Sequence, residues 1–134
     1  MLKKDGTLLT KKTKFWSCAG SGFIESFSAK DHIIGHTYTS ASDANWVYAE
    51  VQGIPDGAVL ISFRINCSHT KTANFAQTAH GGGASIDIAR GNTNVTHKSV
   101  EGIVVDHSKY SYSINVDNLS NTHVVYEAVI EYEI

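Results

Sequence analysis

Strict alternation near the C-terminus constrains this chain more than any other feature. Over residues 110–117, Tyr110, Tyr112, Ile114 and Val116 alternate with Ser111, Ser113, Asn115 and Asp117. Over 124–134, Val124, Tyr126, Ala128, Ile130, Tyr132 and Ile134 alternate with Val125, Glu127, Val129, Glu131 and Glu133. Side chains of a strand switch faces at every residue, so each segment has one apolar face and one mostly polar face. A helix does not sustain that pattern. The Asn- and Ser-rich stretch 118–123 reads as a turn, which predicts a C-terminal hairpin. Val125 and Val129 interrupt the carboxylates of the last strand. They are therefore expected to pack against another element or a second subunit, and are candidate subunit-interface residues.

The rest of the chain has the same character. Strands are expected over 13–18, with Phe15 and Trp16 on opposite faces, and over 46–51, with Trp46, Tyr48 and Glu50 on one face and Val47, Ala49 and Val51 on the other. Phe23, Ile24 and Phe27 form a short apolar patch, and 29–43 reads as a long loop with room for one short strand. Pro55, Asp56 and Gly57 make a turn, since Pro presets φ and Gly accepts the left-handed conformation. Over 59–67, Val59, Ile61, Phe63, Ile65 and Cys67 are expected to face inward. Residues 68–83 read as a polar loop ending in Gly81, Gly82 and Gly83. Strands follow over 84–90, with Ile86 and Ile88 inward, and over 99–105. No segment carries a sustained helical period. Seven to nine short strands with turns between them predict an all-β protein, an antiparallel β-sandwich of jelly-roll-like type with no substantial helix.

At 134 residues the chain suits one domain. Lys3, Lys4, Lys11, Lys12 and Lys14 stand against Asp5 at the start, so the remainder of a chain of net charge −2 is acidic. The expected organisation is a Lys-rich arm over 1–12, serving assembly, and a sandwich over 13–134. An acidic body argues against nucleic acid as the partner. No apolar run reaches the length of a membrane span, and the first residues do not resemble a secretory signal. Two cysteines, Cys18 and Cys67, make neither a disulfide framework nor a metal motif. A buried thiol is expected at Cys67, and a single bridge between the two is left open.

The seven histidines invite a metal reading. His32 and His36 have HxxxH spacing, but their surroundings are not helical, and on a strand they stand about 13 Å apart, too far for one ion. His107 and His123 flank the predicted hairpin and are expected near each other. No metal or other cofactor is predicted. Neighbours such as Asp106, His107 and Ser108, or Ser68 and His69, are no evidence for a triad, which is assembled in space. The glycine run follows no strand and opens no helix, unlike a phosphate loop. No catalytic residue is predicted. The binding candidates are aromatic: Trp46, with Tyr38 and Tyr48, offers faces suited to stacking on sugars.

Three segments carry a family resemblance: GIPDGAVLISF at 53–63, DHSKYSYSINV at 106–116 and VVYEAVIEY at 124–132. Together they resemble a β-sandwich module in which a Pro-Asp-Gly turn leads into a long strand and two aromatic strands close the domain. The pattern is similar to terminal or accessory modules of phage fibre and decoration proteins and of bacterial surface proteins. It departs from them at Glu127 and Ala128, where the pattern tends to have Gly. The resemblance spans about 45–134 and implies a non-enzymatic structural or attachment module, a homotrimer within a virion or cell-surface assembly. It implies no ligand residue. A carbohydrate-binding module using Trp46 and neighbouring loops is the alternative, and a small jelly-roll capsid subunit a further one.

Overall fold

The structure, a computed structural model, describes residues 11–25, 31–34, 36–41 and 43–134. Within them run β1 (Thr13–Ala19), a 3-10 turn (Gly20–Gly22), β2 (Ile24–Glu25), β3 (Asp31–Ile34), β4 (Thr37–Ser40), β5 (Asn45–Glu50), β6 (Val59–Cys67), β7 (Thr72–Ala79), β8 (Ser85–Asn92), β9 (Tyr110–Leu119) and β10 (Val124–Glu133). Every pairing is antiparallel. The chain is thus the all-β sandwich its alternation predicts.

One sheet is built around β10. β6 pairs along one edge, while β1 and then β4 share the other, with β3 outside β4. Gly20 makes the hand-over from β1 to β4 possible: a Cβ there would collide with the Val125 carbonyl and the Tyr38 amide. The second sheet has the order β2-β5-β9-β7-β8. The inner faces meet in a core that includes Val47, Ala49, Phe75, Ile114 and Val116 from the second sheet, with Leu60, Phe63, Ile65, Ala128 and Ile130 from the first. Phe63 and Phe75 join the two sheets edge-to-face at 5.4 Å. Burying each Val, Leu, Ile or Phe side chain among them contributes roughly 1.5–3 kcal/mol.

Several expectations are corrected. The C-terminal hairpin does not form: β9 lies in the second sheet and β10 in the first. Alternation sets which face of a strand is buried, not which strand lies beside it, and 118–123 crosses from one sheet to the other. Residues 72–79, read as loop, are a strand paired on both sides. Residues 99–105 form no strand. They run beside β6 as an irregular cover, with Leu60 N–H donating to Ile103 O at 2.8 Å, and Gly102 turns at φ 88°. The loop expected over 29–43 holds two strands, β3 and β4. Phe27 lies outside the described residues.

Three β-bulges invert expected facings, because one extra residue shifts the alternation by one. Ile61 is the extra residue in β6, so Leu60 is buried while Val59 and Ile61 are only half-buried. Tyr126 is the extra residue in β10, which leaves Tyr126 exposed and sends Val125 into this chain's own core. The burial of Val125 therefore needs no second subunit. Val129 is half-buried beside Ser17. In β8 the extra residue is Ile88, and Ile86 is left 59% exposed on an edge strand.

Lys3 and Lys4 lie outside the described residues. Lys12 exchanges both backbone hydrogen bonds with Ile134 and Lys14 pairs with Tyr132, so the end of the arm already belongs to the sheet. The Lys11 ammonium stands 4.0 Å from Glu133. Cys18 and Cys67 are free thiols, and burial pushes that of Cys67 up to about 11. Gly81 and Gly82 take left-handed conformations in the turn between β7 and β8, where Gly83 lies close against Ala79 of the same chain.

Candidate binding groove

The outward face of the second sheet carries the candidate site. Alternation along β5 turns Val47 and Ala49 inward, so Trp46 and Tyr48 face out, Trp46 with 43% of its surface exposed. Cross-strand register then arranges polar side chains in rows beside them. Tyr48, Asn115, Asn74 and Arg90 are consecutive partners across β5, β9, β7 and β8. The next row is Glu50, Ser113, Ala76 and Asp87. Small side chains at Ala76 and Ser113 lower the floor between the aromatic side and the charged side. The result is a groove of about 400 Å³ lined by Trp46, Tyr48, Asn74, Ala76, Ser85, Asp87, Arg90, Ser113, Asn115 and Asp117.

Asp117 organises the polar half. Its Oδ1 accepts from Asn115 Nδ2 at 2.6 Å and its Oδ2 from Asn74 Nδ2 at 3.1 Å. The Arg90 guanidinium lies between Asp87 at 3.6 Å and Asp117 at 4.0 Å. A second trough, of about 480 Å³, adjoins the first at Tyr48 and Ser113 and reaches Glu50, Gln52, His80, His107 and Tyr110. It runs on along β5 and β9. An aromatic wall facing fixed donors and acceptors can stack on an apolar ring face while bonding to hydroxyls at its rim.

Of the aromatic candidates, the groove brings together Trp46 and Tyr48 and leaves out Tyr38. Tyr38 is fully buried on β4, where its hydroxyl accepts from Asn45 Nδ2 at 2.7 Å, so it is a core residue. The sequence reading missed Asn74, Asn115, Asp117, Asp87 and Arg90. For Asn115 and Asp117 the signal was present, since both lie on the polar face of 110–117. Asn74 had none, because its strand went unrecognised.

The described histidines do not gather at one site. His107 Nε2 contacts Ile54 O at 2.6 Å and His80 Nε2 contacts His107 O at 2.8 Å. His123 stacks on His69 beyond the other end of β9, so His107 and His123 are not neighbours. Among the described residues no three His, Cys, Asp or Glu side chains converge as metal ligands. Ser108 Oγ donates to Asp106 at 2.6 Å while the His107 ring turns to Ile54, so these three make no relay. Ser68 Oγ does meet His69 Nδ1 at 2.8 Å, but it also accepts from Val124 N–H, and among the described residues no carboxylate orients that ring. No helix among the described residues is long and apolar enough to cross a membrane.

No protein-family model and no curated protein sequence matches this chain. Solved structures do. A family 29 carbohydrate-binding module superposes with a TM-score of 0.51 over 93% of this chain and 90% of its own, at 8% sequence identity. A family 29 variant complexed with cellulohexaose gives a TM-score of 0.48 over 90% and 91%, at 7% identity. The C-terminal family 6 module of a laminarinase from Zobellia galactanivorans gives 0.43 over 87% and 98%, at 11% identity. At such identities the likeness is one of fold: this chain is similar to β-sandwich carbohydrate-binding modules in architecture.

Proposed function

We propose that this protein is a non-enzymatic carbohydrate-binding module that takes its ligand along the outer face of the second sheet. The observation that carries the proposal is the placing of Trp46 and Tyr48 together with the polar set Asn74, Arg90, Asn115 and Asp117 in one groove. Outward-facing aromatics two residues apart on a strand, here the exposed Trp46 and the half-buried Tyr48, lie on one face, about 7 Å apart, and offer successive apolar surfaces to a sugar chain. The polar row supplies the directional bonds. The resemblance of the fold to a carbohydrate-binding module is consistent with this reading. An extracellular or cell-surface setting suits such a ligand.

The test is a glycan array followed by titration of the best binder. Trp46→Ala and Tyr48→Ala should each weaken binding roughly tenfold or more, in keeping with the loss of a stacking side chain. Wild-type affinity in both variants would sink the proposal.

An assembly role is the second reading, favoured by one observation. Phe15 stands 66% exposed on β1, near the half-buried Val129, on the outer face of the first sheet. The occupant of that face would be a second copy of this chain, in a trimer or a larger virion or surface assembly held by Lys3 and Lys4. Sedimentation velocity should then find an oligomer that Phe15→Ser dissociates. A strict monomer at all concentrations would remove this reading and leave the groove untouched.

A further inference from the structure

The crossover from β9 to β10 is bonded to three other parts of the chain. Thr122 N–H donates to Ser40 O and Ser40 N–H to His123 O, both at 2.8 Å, which ties it to the end of β4. Ser68 N–H donates to Val124 O at 2.8 Å and Val124 N–H to Ser68 Oγ at 2.9 Å, which ties it to the β6–β7 loop. Asn121 N–H donates to Asp43 Oδ1 at 3.0 Å, which ties it to the turn before β5. The half-buried His123 ring sits at this junction. Its Nδ1 accepts from Ser120 N–H at 3.2 Å, and one face stacks on His69.

The bond from Ser120 sets the ring's protonation. A backbone N–H donates and cannot accept, so Nδ1 must present its lone pair and the ring proton must sit on Nε2. An imidazolium carries a proton on both nitrogens and would set N–H against N–H. His69 is under no such demand. Its Nδ1 meets Ser68 Oγ at 2.8 Å, and a hydroxyl accepts as readily as it donates. Of the charged groups that face His123, His69 and Lys71 oppose a further proton and Asp43 favours one. Protonation of His123 therefore breaks the Ser120 bond and, once His69 is charged too, sets two cations face to face.

The start of the crossover borders the groove. β5 and β9 pair at Asn45 with Leu119 and at Val47 with Val116, so Trp46 stands opposite Asp117 and Asn118. Asp43, which Asn121 holds, lies three residues before Trp46. The backbone that His123 holds in place thus also sets where β5 begins and where the aromatic side of the groove lies.

We propose that His123 is the latch of a pH-sensitive switch. As a neutral imidazole it locks the crossover, and its protonation releases the crossover and shifts Trp46 in the groove. The switch is a property of the fold; its consequence, weaker ligand binding in acid, rests on the carbohydrate-binding reading.

The experiment is an NMR titration of the ¹⁵N-labelled full chain from about pH 8 to about pH 5, following the histidine ring nitrogens and the Trp46 indole. It is run on wild type and on His123→Asn, whose carbonyl oxygen can accept from Ser120 N–H and does not titrate. At the alkaline end His123 should carry its proton on Nε2. On acidification its ring and the Trp46 indole should move with one midpoint, below about 6.5, and His123→Asn should hold the indole still. A neutral His123 protonated on Nδ1 overturns the proposal. So does an indole that stays fixed in wild type, or one that moves equally in His123→Asn. If His123→Asn does not fold, separate midpoints for His123 and Trp46 in wild type overturn it alone. Affinity for the best neutral oligosaccharide should fall severalfold across the same range. A constant affinity while Trp46 moves overturns that consequence and leaves the latch. Binding of no saccharide at all ends the carbohydrate reading and leaves the shared midpoint to decide the switch.

Discussion

His69 and His123 stack with ring centroids 3.7 Å apart and planes 16° from parallel. The stack ties the β6–β7 loop to the crossover before β10, beside the bond from Val124 N–H to Ser68 Oγ. Burial lowers the His123 pKa below its usual 6.5, and the His69 and Lys71 charges lower it further, against an opposing pull from Asp43. The folded state thus resists a proton that the unfolded chain accepts. The associated stability is complete above about pH 6.5 and is lost as the pH falls below it. The melting temperature should drop between about pH 7 and about pH 5. It should drop less steeply in His69→Ala, which removes one of the repelling charges. Identical slopes in the two proteins would mean that His69 does not act on the His123 ring. Such pairings are invisible in sequence, where His69 and His123 are two polar loop residues. Tyr38 is the converse case. It sits among polar neighbours and invites a surface role, yet β4 buries Tyr38 and Ser40, and Asn45 supplies the hydrogen bonds that make both tolerable there.

Among the elements, β6 and β10 carry the core through Phe63 and Ile130, which are direct partners and fully buried. Phe63→Ala and Ile130→Ala should each cost roughly 2–5 kcal/mol in chemical denaturation, as large-to-small core changes do. A loss below about 0.5 kcal/mol at either position would contradict the facing of these strands. Strands β1, β5, β6, β9 and β10 were legible because each combines alternation with β-branched or aromatic residues. Their partners were not, since nothing in an alternating segment names its neighbour, and β9 and β10 took opposite sheets. Nor were the bulges at Ile61, Ile88 and Tyr126, each of which moves one residue without leaving a compositional mark. The most informative miss is β7. Thr72–Ala79 reads as a loop because its outward residues, Asn74 and Ala76, are polar or small. Those are the residues that form the groove floor. An interior strand whose outward face carries small and polar side chains lacks the apolar signal by which strands are recognised.

At the scale of the whole molecule, the two sheets turn unlike faces outward. The first shows a mixed surface around Phe15, Val129 and the carboxylates of β10. The second shows a groove with an aromatic side, a low floor and a polar side held in register by four strands. Strands, rather than loops, carry Trp46, Tyr48, Asn74, Asn115 and Asp117, so a ligand taken up as proposed would meet a groove already held in register. The central claim is that this face is where the ligand binds. Its most direct test is a titration of the ¹⁵N-labelled protein with a neutral oligosaccharide, followed by amide and indole chemical shifts. The shifts should concentrate on the Trp46 indole, Tyr48, Ser113, Asn115 and the side-chain amide of Asn74, with β1 and β10 unmoved. Shifts confined to β1 and β10, or no shift with any neutral glycan tried, would contradict the account.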